Sequence, residues 1–230
     1  MYGKEMGAES RGHGDRGFDY FHYTIPRADL AALIPEGTRR ILDVGCGDGK
    51  TGPVLKERGF REIVGIELDP RAAEMATRSY DRVIVGNVEE EMLPFPRGYF
   101  DCILYGDILE HLVDPWKVLR GHREFLADEG SIVCSIPNIR YYKILKSLVL
   151  KGRWDYRPLG ILDRTHLRFF TLKTIEDMLR ETGFEIRTVV KEGYCSGFIK
   201  MVNRLLFNRL IDFLVVQYKI VATKRNQDDS

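Results

Sequence analysis

From residue 38 onward, short β-rich apolar runs alternate with helical stretches, and this alternation limits the available folds more than any other feature of the chain. "RRILDV", "EIVGIEL", "RVIVG", "FDCILYG" and "SIVCSIP" read as strands. "KTGPVLKERG", "PRAAEMATRSY" and "DPWKVLRGHREFLADEG" read as helices, the second with Pro70 in its first turn and the third stopped by Gly130. Parallel neighbours need a crossover, usually helical, so the alternation predicts βαβ units and a parallel sheet. The strand runs are rich in Val, Ile and Leu throughout, as expected when both faces of a sheet are covered. After Pro137 the rhythm changes. "TLKTIEDMLRETG" is a helix by the spacing of Ile175, Met178, Leu179 and Thr182, and Gly183 ends it. "FEIRTVVK" is a strand, "FIKMVNRLLFNRL" an amphipathic helix and "DFLVVQYKIVATK" a long last strand.

The 230 residues suit one domain, and 44% hydrophobic with 30% charged residues describes a globular protein with enough apolar material for a core. A net charge of +1 gives no support to nucleic-acid binding, which calls for a basic excess. None of the four cysteines is in a C-x-x-C pair, and they read as buried reduced thiols of a cytoplasmic protein. The polar, Gly-rich start is no signal peptide, and the apolar stretches near 144–150 and 205–216 are interrupted too often to span a bilayer. Residues 1–17 are expected to be a disordered tail, 18–37 an N-terminal lid helix, 38–224 the main domain with a cap insertion at about 140–170, and 225–230 a frayed tail.

The first strand runs into "DVGCGDGKTG". A P-loop needs a Gly with four residues between it and the Gly-Lys pair, and that position is Val44. The dinucleotide fingerprint G-x-G-x-x-G fits Gly45 and Gly47, but Lys50 replaces the third glycine, which lets helix and strand pack closely. The pattern Asp-x-Gly-x-Gly-x-Gly, over Asp43, Gly45, Gly47 and Gly49, fits completely. Missing Cβ atoms leave backbone open to a ligand, and Asp43 stands where an ammonium could be held. An amino-acid-bearing nucleoside, S-adenosylmethionine, suits that chemistry better than a pyrophosphate. Glu67, 18 residues after Gly49, is placed to accept ribose hydroxyls. Asn87 could reach an adenine edge and Val88 pack on its face. These positions all fall at C-terminal strand ends, where open α/β sheets bind ligands.

These motifs resemble the class I S-adenosylmethionine-dependent methyltransferases, in particular small-molecule enzymes of the ubiquinone/menaquinone-biosynthesis type. The likeness rests on "ILDVGCGDGKTGPVLKERG", "IVGIELDP", "VGNVEEEMLPFPRGYFDCILYGDILEHLVDPWKVL", "GSIVCSIPN" and "THLRFFTLKTIEDMLRETGFEI", about residues 38–190. The resemblance implies an α/β, Rossmann-like fold: a seven-stranded, mostly parallel sheet with the last strand antiparallel and helices on both faces. It also implies a cofactor site along Asp43, Gly45, Cys46, Gly47, Gly49, Glu67, Leu68, Asn87, Val88, Tyr105 and Asp107, with S-adenosylhomocysteine as product. Asn87 departs from the aspartate of many relatives, and an amide offers adenine a different donor and acceptor pattern. Lys50 is a second departure.

Methyl transfer from a sulfonium asks the protein mainly for orientation, and an oxygen acceptor also asks for a base. In "DILEHLVD" a helix would put Asp107, Glu110, His111 and Asp114 on one face. His111 is then a base or substrate contact, or else a structural residue near a helix start capped by Asp107. His166, in "LDRTHLRFF", is a second candidate base, or else a histidine that fixes its loop. Tyr20, Tyr23 and Arg27 form a lid in which Arg27 pairs with the cofactor carboxylate, or they belong to a surface helix packed on the sheet. Residues 140–170 carry eight Lys/Arg and six aromatics. The basic-aromatic stretch 140–157 within it reads as a cap for an anionic acceptor, as a peripheral membrane contact, or as an amphipathic helix over the pocket. The acids and histidines show no metal-ligand spacing along the chain, so no metal is expected. The expected activity is O-methylation of a small molecule. The alternatives are an NAD-dependent oxidoreductase or epimerase, and an inactive cofactor-binding scaffold. "YGDI" at 105–108, where amino-methylating nucleic-acid enzymes carry Asn/Asp-Pro-Pro-aromatic, weighs against a nucleic-acid substrate.

Overall fold

A computed structural model describes residues 25–90, 93–193 and 211–225. The expected tails, Tyr20, Tyr23 and the amphipathic helix of 198–210 lie outside the described residues. In chain order the elements are α1 (Ala28–Ala31), β1 (Arg40–Val44), α2 (Gly52–Glu57), β2 (Glu62–Glu67), α3 (Pro70–Ala76), β3 (Arg82–Val85) and β4 (Phe100–Gly106), followed by a 3₁₀ turn at Leu109–His111. Then come α4 (Pro115–His122), β5 (Leu126–Pro137), α5 (Tyr142–Lys151), α6 (Leu172–Glu181), β6 (Phe184–Glu192), α7 (Ile211–Leu214) and β7 (Gln217–Lys224).

The strands form one sheet in the order β3-β2-β1-β4-β5-β7-β6. β1 pairs in parallel with β2 and β4, and the parallel ladder extends to β3 and β5. β7 is antiparallel to both its neighbours, β5 and β6, so six strands share a direction and the last opposes them. This is the expected fold class. The chain leaves β1 toward one edge through β2 and β3, then returns to β1's other side as β4. That reversal opens a crevice above the carboxyl ends of β1 and β4.

Alternate residues of each strand serve opposite faces. On β4, Ile103 and Tyr105 join the core covered by α4 and α6, while Cys102 and Leu104 join the core covered by α1, α2 and α3. Helix starts are chemically specified. Asp69 accepts from Arg71 N with Pro70 at the first position, Asp114 does the same for Lys117 N ahead of Pro115, and Thr171 and Thr174 form a reciprocal capping box.

The elements differ from expectation in three places. The helix of "DPWKVLRGHREFLADEG" ends at His122, and β5 begins at Leu126. Leu126 pairs with Phe100 but Ser131 pairs with Cys102, so "ADEG" bulges out of the strand and Gly130 lies within that bulge instead of stopping a helix. The "DILEHLVD" helix is a single 3₁₀ turn, after which Leu112 is extended and Asp114 caps α4. The last strand begins at Gln217 because "IDFL" forms the short helix α7.

Tyr105, expected at the cofactor, has no exposed surface and lies in the core, its hydroxyl 2.9 Å from His122 Nδ1. Burial pushes His122 down to about 4. The folded protein therefore resists a proton that the unfolded chain accepts near its ordinary value of about 6.5. This contribution to stability is complete above about pH 6.5 and is lost as the pH falls through about 4, a total of about 3 kcal/mol. Chemical denaturation of wild type and His122→Gln between pH 7 and 4 checks this. The wild type should lose stability faster by about one proton's worth of slope, and parallel curves would refute it.

Candidate active site

The glycine loop turns the chain at the end of β1. Gly45, Gly47 and Gly49 all have left-handed φ, at 72°, 56° and 82°. Gly45 N and Cys46 N both donate to Ile66 O, which holds the turn against β2. A Cβ on Gly45 would sit 2.6 Å from Ile108 Cδ1, and one on Gly49 would sit 2.6 Å from Ala76 Cα. Gly45 lines the cavity; Gly47 and Gly49 do not. Gly49 serves instead the packing of the loop on α3, which corrects its expected role as cofactor-facing backbone. Gly47 also acts indirectly, by donating its N–H to Glu67.

A cavity of about 1380 Å³ opens above the carboxyl edge of the sheet. Single-ligand clefts commonly measure roughly 300–1,000 Å³, so it has room for a nucleoside and a second small molecule. Its walls bring together Asp43, Gly45, Cys46, Glu67, Leu68 and Asn87 from one side and Asp107, Glu110, His111 and His166 from the other. Arg27 and Val88 also reach it. Ten of the twelve residues expected to bind cofactor are accounted for by these walls and by Gly47's bond to one of them, Gly49 and Tyr105 being the exceptions.

Each carboxylate is held differently. Asp43 accepts from the Tyr80 hydroxyl at 2.5 Å, and burial pushes its carboxyl up to about 7 against that hydrogen bond. Glu67 takes Gly47 N on one oxygen and Asp69 N on the other, at 2.9 and 3.0 Å, so the glycine loop and the end of β2 share one side chain. Asp107 occupies a left-handed φ of 56°. It accepts from Ser135 Oγ at 2.7 Å, from Gln217 Nε2 and from Arg27 Nη1. Burial raises its carboxyl, opposed by the Arg27 charge and the Ser135 hydroxyl. Asp107 caps no helix. Asn87 has its Oδ1 on Glu89 N and its Nδ2 on Glu90 Oε1, so the turn after β3 sets the orientation of the amide. Lys50 pairs with Asp48 at 2.7 Å.

Glu110 is 1% exposed, and neither of its carboxylate oxygens has a hydrogen-bond partner among the described residues. Burial raises its carboxyl well above the usual range, and the Asp107 charge adds to this. Its carbonyl accepts from Leu167 N and Arg168 N, which ties the 3₁₀ turn to the loop carrying His166. His166 Nδ1 lies 3.0 Å from Ile161 O and His111 Nδ1 3.3 Å from Thr165 O. A carbonyl only accepts, so each Nδ1 carries the proton and the basic nitrogen is Nε2. The two rings meet edge to face with centroids 4.7 Å apart, and His166 Nε2 is 4.0 Å from Glu110 Oε1. Glu110, His111 and His166 offer ligand atoms within 4.8 Å of one another, a set able to hold a metal ion. The set comes together only in the folded chain. His166 comes from 55 residues further along the chain than His111, so no local spacing announces the set.

The cap is also smaller than expected. Residues 158–161 and 163–167 line the cavity, whereas α5 contributes nothing to it and has no buried residue. Val149 and Leu150 of α5 are 76% and 70% exposed, so this helix does not cover the pocket. Sequence reasoning missed Gln217 and Ser135. The signal for Gln217 was available: β7 runs antiparallel, so its first residue arrives at the edge where the parallel strands end.

A methyltransferase-domain family model matches residues 19–189, and the chain belongs to that family. It is 29% identical over 163 residues to a ubiquinone biosynthesis O-methyltransferase of Cereibacter sphaeroides, covering 68% of this chain and 64% of the relative. An uncharacterised protein of Methanocaldococcus jannaschii is 27% identical over 162 residues, covering 64% of this chain and 61% of that one. The chain thus spans a little under two thirds of the length of these curated relatives. Among solved structures, an S-adenosylmethionine-dependent methyltransferase from Archaeoglobus fulgidus superposes with a TM-score of 0.64 at 21% identity, over 86% of this chain and 91% of that one. One from Mesorhizobium loti gives 0.59 at 21% identity, over 85% and 96%. These likenesses establish the fold.

Gly49→Ala tests the division of labour in the loop. The strain at φ 82° and the contact with Ala76 should cost about 1–3 kcal/mol in urea unfolding, while affinity of the folded protein for S-adenosylhomocysteine changes less than about threefold. A large loss of affinity at unchanged stability would place Gly49 in the binding surface.

Proposed function

We propose that the protein transfers a methyl group from S-adenosylmethionine to an oxygen of a small-molecule acceptor. The observation that carries this reading is the Glu110–His111–His166 cluster, which shares one cavity with Asp107, Glu67 and Asn87. Support for the cofactor comes from family membership and from the names of the structural relatives. Support for oxygen comes from the named Cereibacter relative and from basic nitrogens placed to take a hydroxyl proton.

The bound cofactor supplies an activated methyl on a sulfonium. The protein's part is orientation and proton handling. Glu67, fixed by two backbone donors, would accept the ribose hydroxyls on its remaining lone pairs. Leu68 and Val88 would pack on the base, and Asn87 would offer its amide to the base edge. Arg27 and Asp107 would hold the carboxylate and ammonium of the amino-acid end, each giving up part of its pairing with the other. Nε2 of His111 or His166 accepts the acceptor's proton, and Glu110 stabilises the imidazolium that forms.

A second reading concerns how the hydroxyl is activated. The unpartnered oxygens of buried Glu110 favour a divalent cation held with the two histidines, since an uncompensated buried carboxylate is costly. One experiment decides between the two. With a panel of catechols, sugars and nucleotide sugars as acceptors, His111→Ala and His166→Ala should each lower kcat about 100-fold or more with S-adenosylhomocysteine affinity unchanged. If chelation abolishes the wild-type activity and Mg²⁺ or Mn²⁺ restores it, the cation acts; indifference to chelator leaves the proton route.

The cofactor is tested separately by calorimetry. S-adenosylhomocysteine should bind, Glu67→Ala should weaken it at least tenfold, and NAD should be silent. Binding of NAD alone would overturn the assignment.

A further inference from the structure

Arg27 reaches the cavity from a segment with little regular structure of its own. It precedes α1, a single turn of four residues. A long flexible guanidinium on such a support gains nothing from its own element, yet its position is closely determined. Nε and Nη2 donate to the two oxygens of Asp29, each at 3.0 Å, a fork-on-fork pair that sets the plane of the guanidinium. The edge left over, Nη1, is the one directed at Asp107 inside the cavity. An i, i+2 pair at a surface would be worth little. This one is extended inward: Asp29 Oδ2 also meets Lys219 Nζ at 2.8 Å, and Lys219, 9% exposed, is held by Glu192 at 2.6 Å.

The geometry of β7 explains why these contacts act together. Gln217 and Lys219 are two apart on one strand and so project from the same face. Gln217 donates to Asp107, and Lys219 holds Asp29. One strand therefore grips both acidic partners of Arg27. Ser135, which donates to Asp107, is the register partner of Lys219 on β5. Burial alone would raise the Asp29 carboxyl, but the hydrogen bonds from Arg27 and Lys219 outweigh it and hold the group well below the usual range.

We propose that Asp29 and Lys219, neither of which lines the cavity, are positioning residues that hold Arg27 ready for the carboxylate of the cofactor's amino-acid end. This rests on the placement of that end at Arg27 and Asp107 proposed above. The bidentate Asp29 fixes the guanidinium plane, Lys219 fixes Asp29, and affinity for the amino-acid end depends on both.

The test is a double-mutant cycle read by calorimetry with two probes, S-adenosylhomocysteine and adenosine, which lacks the amino-acid end. Asp29→Asn and Lys219→Met should each weaken S-adenosylhomocysteine about tenfold in the protein that carries Arg27, and less than about threefold when Arg27→Ala is also present. Adenosine affinity should be unchanged in all variants, and Lys219→Arg should restore most of what Lys219→Met loses. Equal weakening of adenosine, or additive losses in the cycle, would show that the chain of charges merely fastens α1 to the sheet and would overturn the inference. If Arg27→Ala by itself leaves S-adenosylhomocysteine affinity intact, the placement of the amino-acid end is wrong and the inference falls with it. Melting temperatures of the variants identify any loss that comes from the fold.

Discussion

The reversal of strand order between β1 and β4 is the constraint on which the rest of the structure depends. Two parallel strands that lead their chain away in opposite directions cannot both have their carboxyl ends covered by their own crossovers. A crevice stays open there, and Asp43, Glu67, Asp107, Glu110, His111 and His166 gather around it. The glycine loop leaves β1 at one side, and the Asp107 turn leaves β4 at the other. Ile108 packs against Gly45 so closely that only a residue without a side chain fits between them. The two turns are thus built as one piece.

Bringing the strand ends together also brings together acids, and their burial has to be offset. Seven carboxylates line the cavity, and four of them, Asp43, Glu67, Asp107 and Glu110, meet the problem in different ways. Asp43 has a phenol, Glu67 has two backbone amides, and Asp107 has a serine, a glutamine and an arginine. Glu110 has no such donor among the described residues and lies against two histidines. Of these four, Glu110 alone has no donor on either oxygen among the described residues, and it lies beside two histidines, the arrangement on which the proposed proton or cation chemistry rests. The carbonyl of Glu110 is in turn tied to Leu167, in the loop of residues 158–167 that lines the cavity.

Much of this was legible in the sequence, and the failures have definite causes. Strand and helix alternation gave the sheet because hydrophobic period and crossover length are local properties. Glu67 and the glycine loop were visible because they sit immediately after a strand. Tyr105 was misplaced because a strand's last residues alternate between core and crevice, and one step of register decides which; its hydroxyl met His122 on the core side. The "ADEG" segment reads as helix by composition, but the pairing of Leu126 with Phe100 draws it into a bulge. The Asp107–Asp114 stretch reads as a helix by spacing, but the left-handed Asp107 and the extended Leu112 leave room for only one tight turn.

The sequence by itself determined the class of sheet, the identity of the strand ends and the glycine turn that opens the crevice, since each follows from short-range periodicity and from glycine's conformational freedom. Only the tertiary structure decided which residues act together there. Gln217 meets Asp107 across 110 positions, and His166 meets His111 across 55. Those encounters depend on the antiparallel return of β7 and on the cap loop's attachment to Glu110 O. Both are long-range contacts whose register no local pattern encodes.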